Sequence, residues 1–587
     1  DRVRIYEEKI LPALRRNHVV FYQSKSEVED FHKEFVHRFF MEEVFPYIQP
    51  VKIDPENVRF FLRDRRLYLA VKVWKDAQEK PEYYIIKMPY SKVPRFVQLP
   101  SHEGNYYLMF LEDIIKANLK EVFIGYEVEC SYCCKISRDA DVFVDDVPAE
   151  SMVEKLKEKV KKRKIGAICR FVYDRKMPDD FLDALVEALG INREELVPGD
   201  KHLNLEDLAS LPNPNPDIPA IVKPQPMFLP GMSEKHFMYR RIAKRDMLLY
   251  YPYHSFEHFI HFLYEAVHDP FCREIMITQY RVAEHSEVIN ALIAAARNGK
   301  KVTVVIELLA RFDEASNINW SKKMQDAGVN VIFGVEGLKV HSKITHIKMK
   351  KGPDIACIST GNFHEGNARM YTDCMLMTAA PRIVKDVHSV FDFIERPYSP
   401  VKFKELLVSP NEMRNKFIAL INNEIKNKKA GKDAYIKIKI NHITDPFMVN
   451  KLYEASQAGV DIQLVVRGNC SLITGIEGVS ENIRINGIID RYLEHSRIFV
   501  FASGGEEKAF IGSADWMPRN LNNRIEVITP VYDPVIKKEM KHIVEDGFKD
   551  TMQGRIVDGS GKNLFREEET PFRSQEALYN HYLNENI

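Results

Sequence analysis

Two short motifs in this sequence combine a histidine with a cation two residues further on: His341-Ser342-Lys343 and His495-Ser496-Arg497. A neutral imidazole is a good nitrogen nucleophile near neutral pH. When an imidazole attacks phosphorus, the charge on the phosphoryl oxygens must be neutralised, and on a strand a cation two residues away points to the same face. The motifs therefore predict phosphoryl transfer, in which one histidine is the nucleophile and the other holds phosphate or acts as an acid.

Each motif is followed by a strand-like segment that ends in a small polar turn. The turns are Thr360-Gly361-Asn362-Phe363 and Gly512-Ser513-Ala514-Asp515-Trp516. We expect Asn362 and Ser513 to donate further hydrogen bonds to phosphate oxygens.

Three arginines, Arg281, Arg311 and Arg467, stand where predicted parallel strands end. The carboxyl edge of an α/β sheet is where ligands usually bind. Because a guanidinium stays charged and matches phosphate oxygens with two parallel hydrogen bonds, the three arginines favour phosphate binding.

A repeated series of elements must position these residues. In both halves a predicted helix is followed by a glycine and a strand, then by the histidine strand, the polar turn, and a further strand and helix. The corresponding segments are Glu287–Arg297 with Val302–Leu308 and Met448–Ala458 with Asp461–Val466, then Leu338–Ile344 and Tyr492–Ile498, then Met370–Thr378 and Arg524–Pro530. This pattern predicts two α/β sandwich domains. Packed about a pseudo-two-fold axis, they would bring His341 and His495 to one shared site.

The rest of the chain divides at proline-rich breaks. Of its 587 residues, the stretch from Leu211 to Gly231 carries seven prolines, and a lesser break follows Arg396. We predict four parts: the end of a helical N-terminal domain (1–20), an α+β domain (21–225), the first α/β sandwich domain (226–400) and the second (401–587).

Composition limits the function classes. Lys plus Arg and Asp plus Glu both total 84, so no net field drives non-specific nucleic-acid or membrane binding. The sequence has no apolar run of about 18 residues, which predicts no transmembrane segment. Eight cysteines are sparse for this length and indicate a reducing compartment. We expect a cytoplasmic protein and leave peripheral membrane attachment open.

The motifs resemble the split signature of the phospholipase D superfamily, carried here by Val340-His341-Ser342-Lys343 and Gly512-Ser513-Ala514-Asp515. The resemblance implies two phospholipase D-like repeats and a histidine that carries a phospho-enzyme intermediate. The sequence departs from the superfamily pattern because Lys348 replaces an Asp and Arg497 replaces a Lys. A phospholipase D-like phosphodiesterase is the alternative function.

Longer strings are similar to the polyphosphate kinase family of the bacterial long-chain type. They include Leu248-Leu249-Tyr250-Tyr251-Pro252-Tyr253-His254, Ala310-Arg311-Phe312-Asp313-Glu314, Arg467-Gly468-Asn469-Cys470-Ser471-Leu472 and Arg491-Tyr492-Leu493-Glu494-His495. The resemblance implies reversible transfer of the terminal phosphate of ATP to inorganic polyphosphate through a phosphohistidine, with Mg²⁺.

The same resemblance implies roles for single residues. The phosphorylated histidine falls on His341, the ATP contacts on Tyr371, Arg467 and His495, and the family's magnesium positions on Arg281 and Arg311. Because a guanidinium has no lone pair for a metal, we expect these two arginines to hold phosphates that carry the ion. Lys343 and Asn362 complete the predicted phosphate site.

The implied partners are ATP or ADP and polyphosphate, without nucleic acid, in a homo-oligomer (dimer or tetramer). A third possibility is a non-catalytic polyanion or nucleic-acid binder built on an inactive repeat.

Overall fold

A computed structural model describes residues 2–53, 62–75, 80–138, 168–218, 224–229, 237–283, 285–307, 314–566, 568 and 570–585. The chain forms two compact units, Asp1–Val222 and Lys223–Ile587. The predicted division into four parts stays a prediction.

The first unit is an α+β structure. Its strands are β1 (Val19–Tyr22), β2 (Pro50–Lys52), β3 (Leu67–Lys75), β4 (Glu82–Lys87), β5 (Phe96–His102), β6 (Asn105–Phe110), β7 (Tyr126–Arg138), β8 (Ile168–Asp174) and β9 (Leu196–Gly199). They form one sheet in the order β1-β6-β5 and another in the order β2-β4-β3-β7-β8-β9.

Helical segments cover the sheets of the first unit. The α-helices are Arg2–Ile5, Leu11–Arg16, Asp30–Phe39, Leu111–Ala117, Leu119–Val122 and Asp179–Leu189, the π-helices are Tyr6–Ile10 and Phe40–Val44, and the 3₁₀ turns are Lys25–Glu27, Phe45–Tyr47, Arg193–Glu195 and Leu205–Ser210. Arg2–Arg16 is thus helical, as the sequence predicts, although its membership of a further helical domain stays a prediction.

The second unit begins with one α/β repeat. Its strands are β10 (Met247–Tyr251), β11 (Cys272–Gln279), β12 (Lys301–Ile306), β13 (Asn330–Phe333), β14 (Lys339–Val340), β15 (Ile344–Met349), β16 (Ile355–Ser359) and β17 (Tyr371–Thr378). The helices are Met238–Ile242, Glu257–His268, Glu287–Arg297, Glu314–Asp326, Glu365–Ala368 and Pro381–Glu395. The sheet order is β10-β17-β16-β15-β11-β12-β13.

The second repeat follows the same plan. Its strands are β18 (Leu407–Ser409), β19 (Tyr435–Ile440), β20 (Asp461–Val466), β21 (Ile483–Ile488), β22 (Leu493–Glu494), β23 (Ile498–Phe501), β24 (Lys508–Gly512), β25 (Arg524–Val531) and β26 (Gly554–Ile556). The helices are Met413–Lys429, Pro446–Gln457, Ser503–Gly505 (3₁₀), Pro518–Asn522, Pro534–Lys549 and Ser574–Glu585. The main path of the sheet is β25-β24-β23-β19-β20-β21-β26.

Local sequence signals explain the matched helices. Ser286 caps Glu287–Arg297 by accepting a hydrogen bond from the Ile289 amide at 3.3 Å, and Asp445 caps Pro446–Gln457 through the Met448 amide at 3.1 Å. The predicted tandem α/β sandwich architecture is confirmed in these sheets and helices.

The two repeats exchange short strands. β14 of the first repeat pairs in parallel with β25 of the second, and β22 of the second pairs in parallel with β17 of the first. The prediction that each histidine lies within a strand is wrong, because His341–Lys343 and His495–Arg497 lie between strands. At both places the chain leaves the other repeat's sheet and enters its own, so the histidine stands at the crossing between the sheets.

Strand registers relate the repeats residue by residue. Ile344 pairs with Ile358 in the first repeat as Ile498 pairs with Ile511 in the second. Continuing through the other pairings equates Asp373 with Glu526, Asn362 with Asp515, Tyr371 with Arg524 and Arg281 with His442. Within the described residues, no helix has the length and apolar character needed to cross a membrane.

Candidate active site

His341 is held by a carboxylate from the opposite repeat. Its Nδ1 lies 2.9 Å from Oε1 and 3.0 Å from Oε2 of Glu526, a fully buried residue on β25. Asn520 and Ser513 donate hydrogen bonds to the same carboxylate. Because a carboxylate only accepts, Nδ1 carries the proton and the lone pair of a neutral ring is on Nε2.

Burial keeps His341 neutral. Desolvation lowers the pKa of this imidazole to about 3, and the nearby Glu526 carboxylate only partly opposes that effect. At pH 7 the ring therefore presents an unprotonated Nε2, the form that a nitrogen nucleophile needs.

His495 is likewise held by a carboxylate from the opposite repeat. Its Nδ1 lies 2.9 Å from both carboxylate oxygens of Asp373 on β17, and Thr360 donates a hydrogen bond to that carboxylate at 2.6 Å. Burial, followed by the charge of Arg497, lowers the pKa of His495. Both histidines are thus neutral imidazoles oriented by the other repeat.

The cations that follow the histidines differ. Arg497 donates to both oxygens of Asp515, at 3.2 and 3.1 Å, and to the Thr360 carbonyl at 3.0 Å. Lys343 donates to the carbonyl of His341. The residue equivalent to Asp515 is the neutral Asn362, so the first repeat lacks a carboxylate at the position that neutralises Arg497.

The two halves lie within electrostatic reach of each other. Burial lowers the pKa of Lys343 to about 7; Glu526 opposes this, and the charge of Arg497 from the second repeat adds to the lowering. This coupling and the exchanged carboxylates support the hypothesis of one site between the repeats.

An aromatic ring adjoins each imidazole. The Tyr280 and His341 rings lie 4.9 Å apart at 79°, and the Tyr371 and His495 rings lie 5.1 Å apart at 51°. Lys343 Nζ lies 5.4 Å from the centre of the Tyr280 ring. Tyr371, expected to contact ATP, is therefore beside His495.

Arg467 directly follows β20, as predicted, and its Nε donates to Asn441 Oδ1 at 3.3 Å. Burial lowers its pKa, and so does the charge of Arg497. Arg281 is half-buried after β11, with its guanidinium 5.9 Å from the Tyr280 ring. Arg311 lies outside the described residues.

The two polar turns have different partners. Asn362 stands after β16, and its buried Oδ1 finds no hydrogen-bond partner among the described residues. Ser513, expected to bind phosphate, donates instead to Glu526. Its hydroxyl therefore positions the carboxylate behind His341.

A buried polar network supports the segment before His495. Thr372 donates to Glu494 Oε2 at 2.9 Å and accepts from the His495 amide at 3.1 Å. Lys439 forms an ion pair with the same Glu494 at 2.5 Å. From the C-terminal helix, Gln575 donates to Glu494 at 2.7 Å and to the Tyr492 carbonyl at 2.9 Å, and accepts from the Tyr492 amide at 2.9 Å. The C-terminal helix thus helps to fix where His495 stands.

The described side chains were compared with what a metal ion needs for a site made by the protein alone. None of them forms a group of three or more histidine, cysteine, aspartate or glutamate residues able to hold a metal. Arg281 cannot ligate a cation, because a guanidinium offers no lone pair.

Asp373, Glu526 and the partner role of Asp515 were not predicted from the sequence. A signal for the first two was present, since Tyr371-Thr372-Asp373 and Arg524-Ile525-Glu526 place an acid at the same position of matched strands. Only the strand exchange reveals that each acid serves the histidine of the other repeat.

Comparisons with known proteins cover nearly the whole chain. Family models for the polyphosphate kinase middle domain, C-terminal domain 1 and C-terminal domain 2 match residues 31–211, 237–400 and 406–575. A polyphosphate kinase of Vibrio parahaemolyticus is 41% identical over 592 residues, covering 99% of this chain and 84% of that protein.

A polyphosphate kinase of Escherichia coli is 38% identical, covering 98% of this chain and 85% of that protein. The crystal structure of a Porphyromonas gingivalis polyphosphate kinase superimposes with a TM-score of 0.85 at 38% identity, covering 100% of this chain and 88% of that one.

Proposed function

The chain belongs to the polyphosphate kinase family and acts as a kinase that transfers phosphate between ATP and polyphosphate; on that premise, we propose that the phosphate passes through a phosphohistidine on His341. In the forward direction Nε2 of His341 attacks the γ-phosphorus of ATP. An N–P bond forms, the bond from phosphorus to the bridging oxygen breaks, and ADP leaves with the electron pair. The terminal oxygen of polyphosphate then attacks the phosphohistidine, which lengthens the chain by one phosphate and regenerates the imidazole.

The neighbouring cations supply the charge that this reaction needs. Phosphoryl transfer depends mainly on positioning and on stabilising charge spread over the equatorial oxygens. Lys343 adjoins the nucleophile, Arg281 follows β11 of the first repeat, and Arg467 follows β20 of the second. Asn362 has an amide at the same edge, where it can donate to a phosphate oxygen.

His495 serves the opposite side of the phosphoryl group. Its ring, oriented by Asp373 and flanked by Tyr371, would lie beside the nucleotide phosphates and accept the proton of the attacking polyphosphate oxygen at its unprotonated Nε2. Tyr371 and Arg467 complete the ATP contacts.

Mg²⁺ enters this proposal as part of the nucleotide substrate. A phosphate-bound ion neutralises charge on the triphosphate when it is present, and this chain contributes cations that hold the phosphates. Arg281 fits that role, and the same role is proposed for Arg311.

The observation that carries the proposal is the pairing of His341 with Glu526. The buried carboxylate fixes the proton on Nδ1 and leaves Nε2 free for attack. This is the arrangement that a phosphohistidine mechanism requires.

Labelling with γ-³²P-ATP tests the proposal. We expect an acid-labile, base-stable label on the wild-type protein and none on His341→Ala, because the nucleophile is gone. His495→Ala should keep the label while net polyphosphate synthesis falls by about 10²- to 10⁴-fold. A wild-type protein that takes up no label, or a His341→Ala variant that takes up a full label, would overturn it.

Hydrolysis of a chromogenic phosphodiester without nucleotide would instead support the phospholipase D-like alternative. The assembly into dimers or tetramers, the absence of a nucleic-acid partner and peripheral membrane attachment stay predictions.

A further inference from the structure

The geometry points to His442 as a phosphate-binding residue of the second repeat, where it occupies the position that Arg281 holds in the first. This inference rests on the proposed function, because it adds a ligand contact to the same site. His442 follows β19, two residues beyond the strand end at Ile440, as Arg281 follows β11, two residues beyond Gln279. The two residues are equivalent because Ile438 pairs with Phe499 as Ile277 pairs with Thr345.

The loop after β20 holds the His442 ring in a fixed position. Its Nδ1 accepts a hydrogen bond from the Asn469 amide at 2.9 Å. A Cβ on Gly468 would lie 2.3 Å from Cε1 and 2.6 Å from Nδ1 of this ring, so only glycine leaves room for it. The imidazole is therefore fixed against the residues that follow Arg467.

The hydrogen bond from the Asn469 amide determines which ring nitrogen of His442 is available to a ligand. Because Nδ1 accepts from a backbone amide, the proton of the neutral ring is on Nε2. Within the part of the chain that the structure describes, this Nε2 has no hydrogen-bond partner. A donor held rigidly at a ligand-binding edge is suited to an oxygen of an anion.

The charges around His442 favour a phosphate ligand. Burial lowers the pKa of this imidazole, and the charges of Arg467, Arg497 and Arg519 add to the lowering while Asp515 opposes it. The ring therefore lies among three arginines and stays neutral at pH 7. Asp515 is itself engaged by Arg497 and by the Asn441 amide at 3.1 Å, so its charge is partly compensated within the protein.

Two ligands share this chemistry, namely the phosphates of ATP and the end of a polyphosphate chain. The Michaelis constants in the two directions distinguish them. One assay measures synthesis against ATP concentration, and the other measures ATP formation from ADP against polyphosphate concentration.

A pair of substitutions separates ligand binding from support of the loop. In His442→Asn the side-chain oxygen can take the place of Nδ1 and accept from the Asn469 amide, but the Nε2 donor is lost. His442→Ala removes both functions. We expect both variants to raise KM for ATP, for polyphosphate or for both by about 10- to 100-fold, since a hydrogen bond to a charged group is lost. His442→Arg should retain most of the affinity, because it restores the cation of the first repeat.

An unchanged KM in both assays for His442→Asn would overturn the inference, as would a defect confined to His442→Ala, which would assign the residue to the loop alone. Labelling of His341 separates this outcome from failure of the proposed function. A wild-type protein that labels normally while His442→Asn keeps its affinities would refute only the role of His442.

Discussion

The His341 pocket and the His495 pocket have the same plan and differ in how their cations are paired. In both, the Nδ1 of a partly buried histidine meets a carboxylate from the opposite sheet. The second pocket adds Asp515, which binds Arg497 with two hydrogen bonds, whereas the first has the neutral Asn362 at that register position.

Because of this difference, the equivalent residues Arg497 and Lys343 have different electrostatic environments. Arg497 is engaged by Asp515 and the Thr360 carbonyl, and its Nη1 lies 3.2 Å from Nε2 of His495, so much of its charge is already compensated within the protein. Lys343 has no acid at the corresponding place, and burial together with other cations makes its ammonium less stable. A bound phosphate would relieve that instability, which supports the proposal that the first pocket accepts the phosphoryl group.

The largest effect should come from the carboxylates that set the tautomers. In Glu526→Gln the amide can donate to Nδ1, which would move the histidine proton to Nε2 and block attack on phosphorus. We expect labelling of His341 to fall by about 10²- to 10⁴-fold. In Asp373→Asn the label should persist and net synthesis should slow.

Single-turnover labelling followed by steady-state assays checks both variants. Equal loss of label in the two variants would contradict different roles for the two pockets, because it would mean that both histidines are required to form the same bond. Retention of normal labelling by Glu526→Gln would exclude His341 Nε2 as the nucleophile.

An intermediate effect is expected from pH. Because the pKa of Lys343 is lowered to about 7, its ammonium is lost as pH rises above 7, and kcat/KM for ATP should fall there by up to tenfold per pH unit. Lys343→Arg should extend the plateau to higher pH, since a guanidinium does not deprotonate.

Titration of ATP itself is common to the two proteins, so the ratio of their kcat/KM values isolates position 343. A parallel fall in wild type and Lys343→Arg would contradict this assignment. The double substitution Lys343→Arg with Asn362→Asp recreates the pairing of the second pocket and should lower labelling of His341.

The smallest effect concerns the network that supports the second pocket alone. Gln575→Ala removes three hydrogen bonds to the segment before His495 and should lower kcat by about tenfold, because catalytic geometry is lost. Leu578→Ala is the control, since Leu578 is buried in the same helix and packs in an apolar cluster.

Amide hydrogen exchange tests whether the lower kcat of Gln575→Ala comes from loosening of the segment before His495. Peptides covering residues 490–496 should exchange faster in Gln575→Ala than in Leu578→Ala, because the Tyr492 amide loses its acceptor. Equal exchange and equal kcat in the two variants would mean that Gln575 contributes only to packing of the helix and does not position His495.

Much of the fold followed from local patterns. The helices at Glu287–Arg297 and Pro446–Gln457 were predictable because apolar spacing, a capping side chain and a following glycine all agree. The end of the helix Asp179–Leu189 was also predictable, because Gly190 readily adopts the left-handed conformation, with φ of 60°, that terminates a helix. The histidine segments were assigned wrongly to continuous strands because their alternation of residue types does not reveal which sheet they pair with.

The repeat, the two histidine–cation motifs and the arginines at strand ends can be read from the amino-acid sequence, since these features depend on order and spacing along the chain. The pairing of Glu526 with His341 and of Asp373 with His495 becomes visible only in the folded chain. Each acid is more than 100 positions from its histidine, at 185 and 122 residues respectively. They meet because β14 and β22 pair with the opposite repeat, and no local propensity specifies such a long-range pairing.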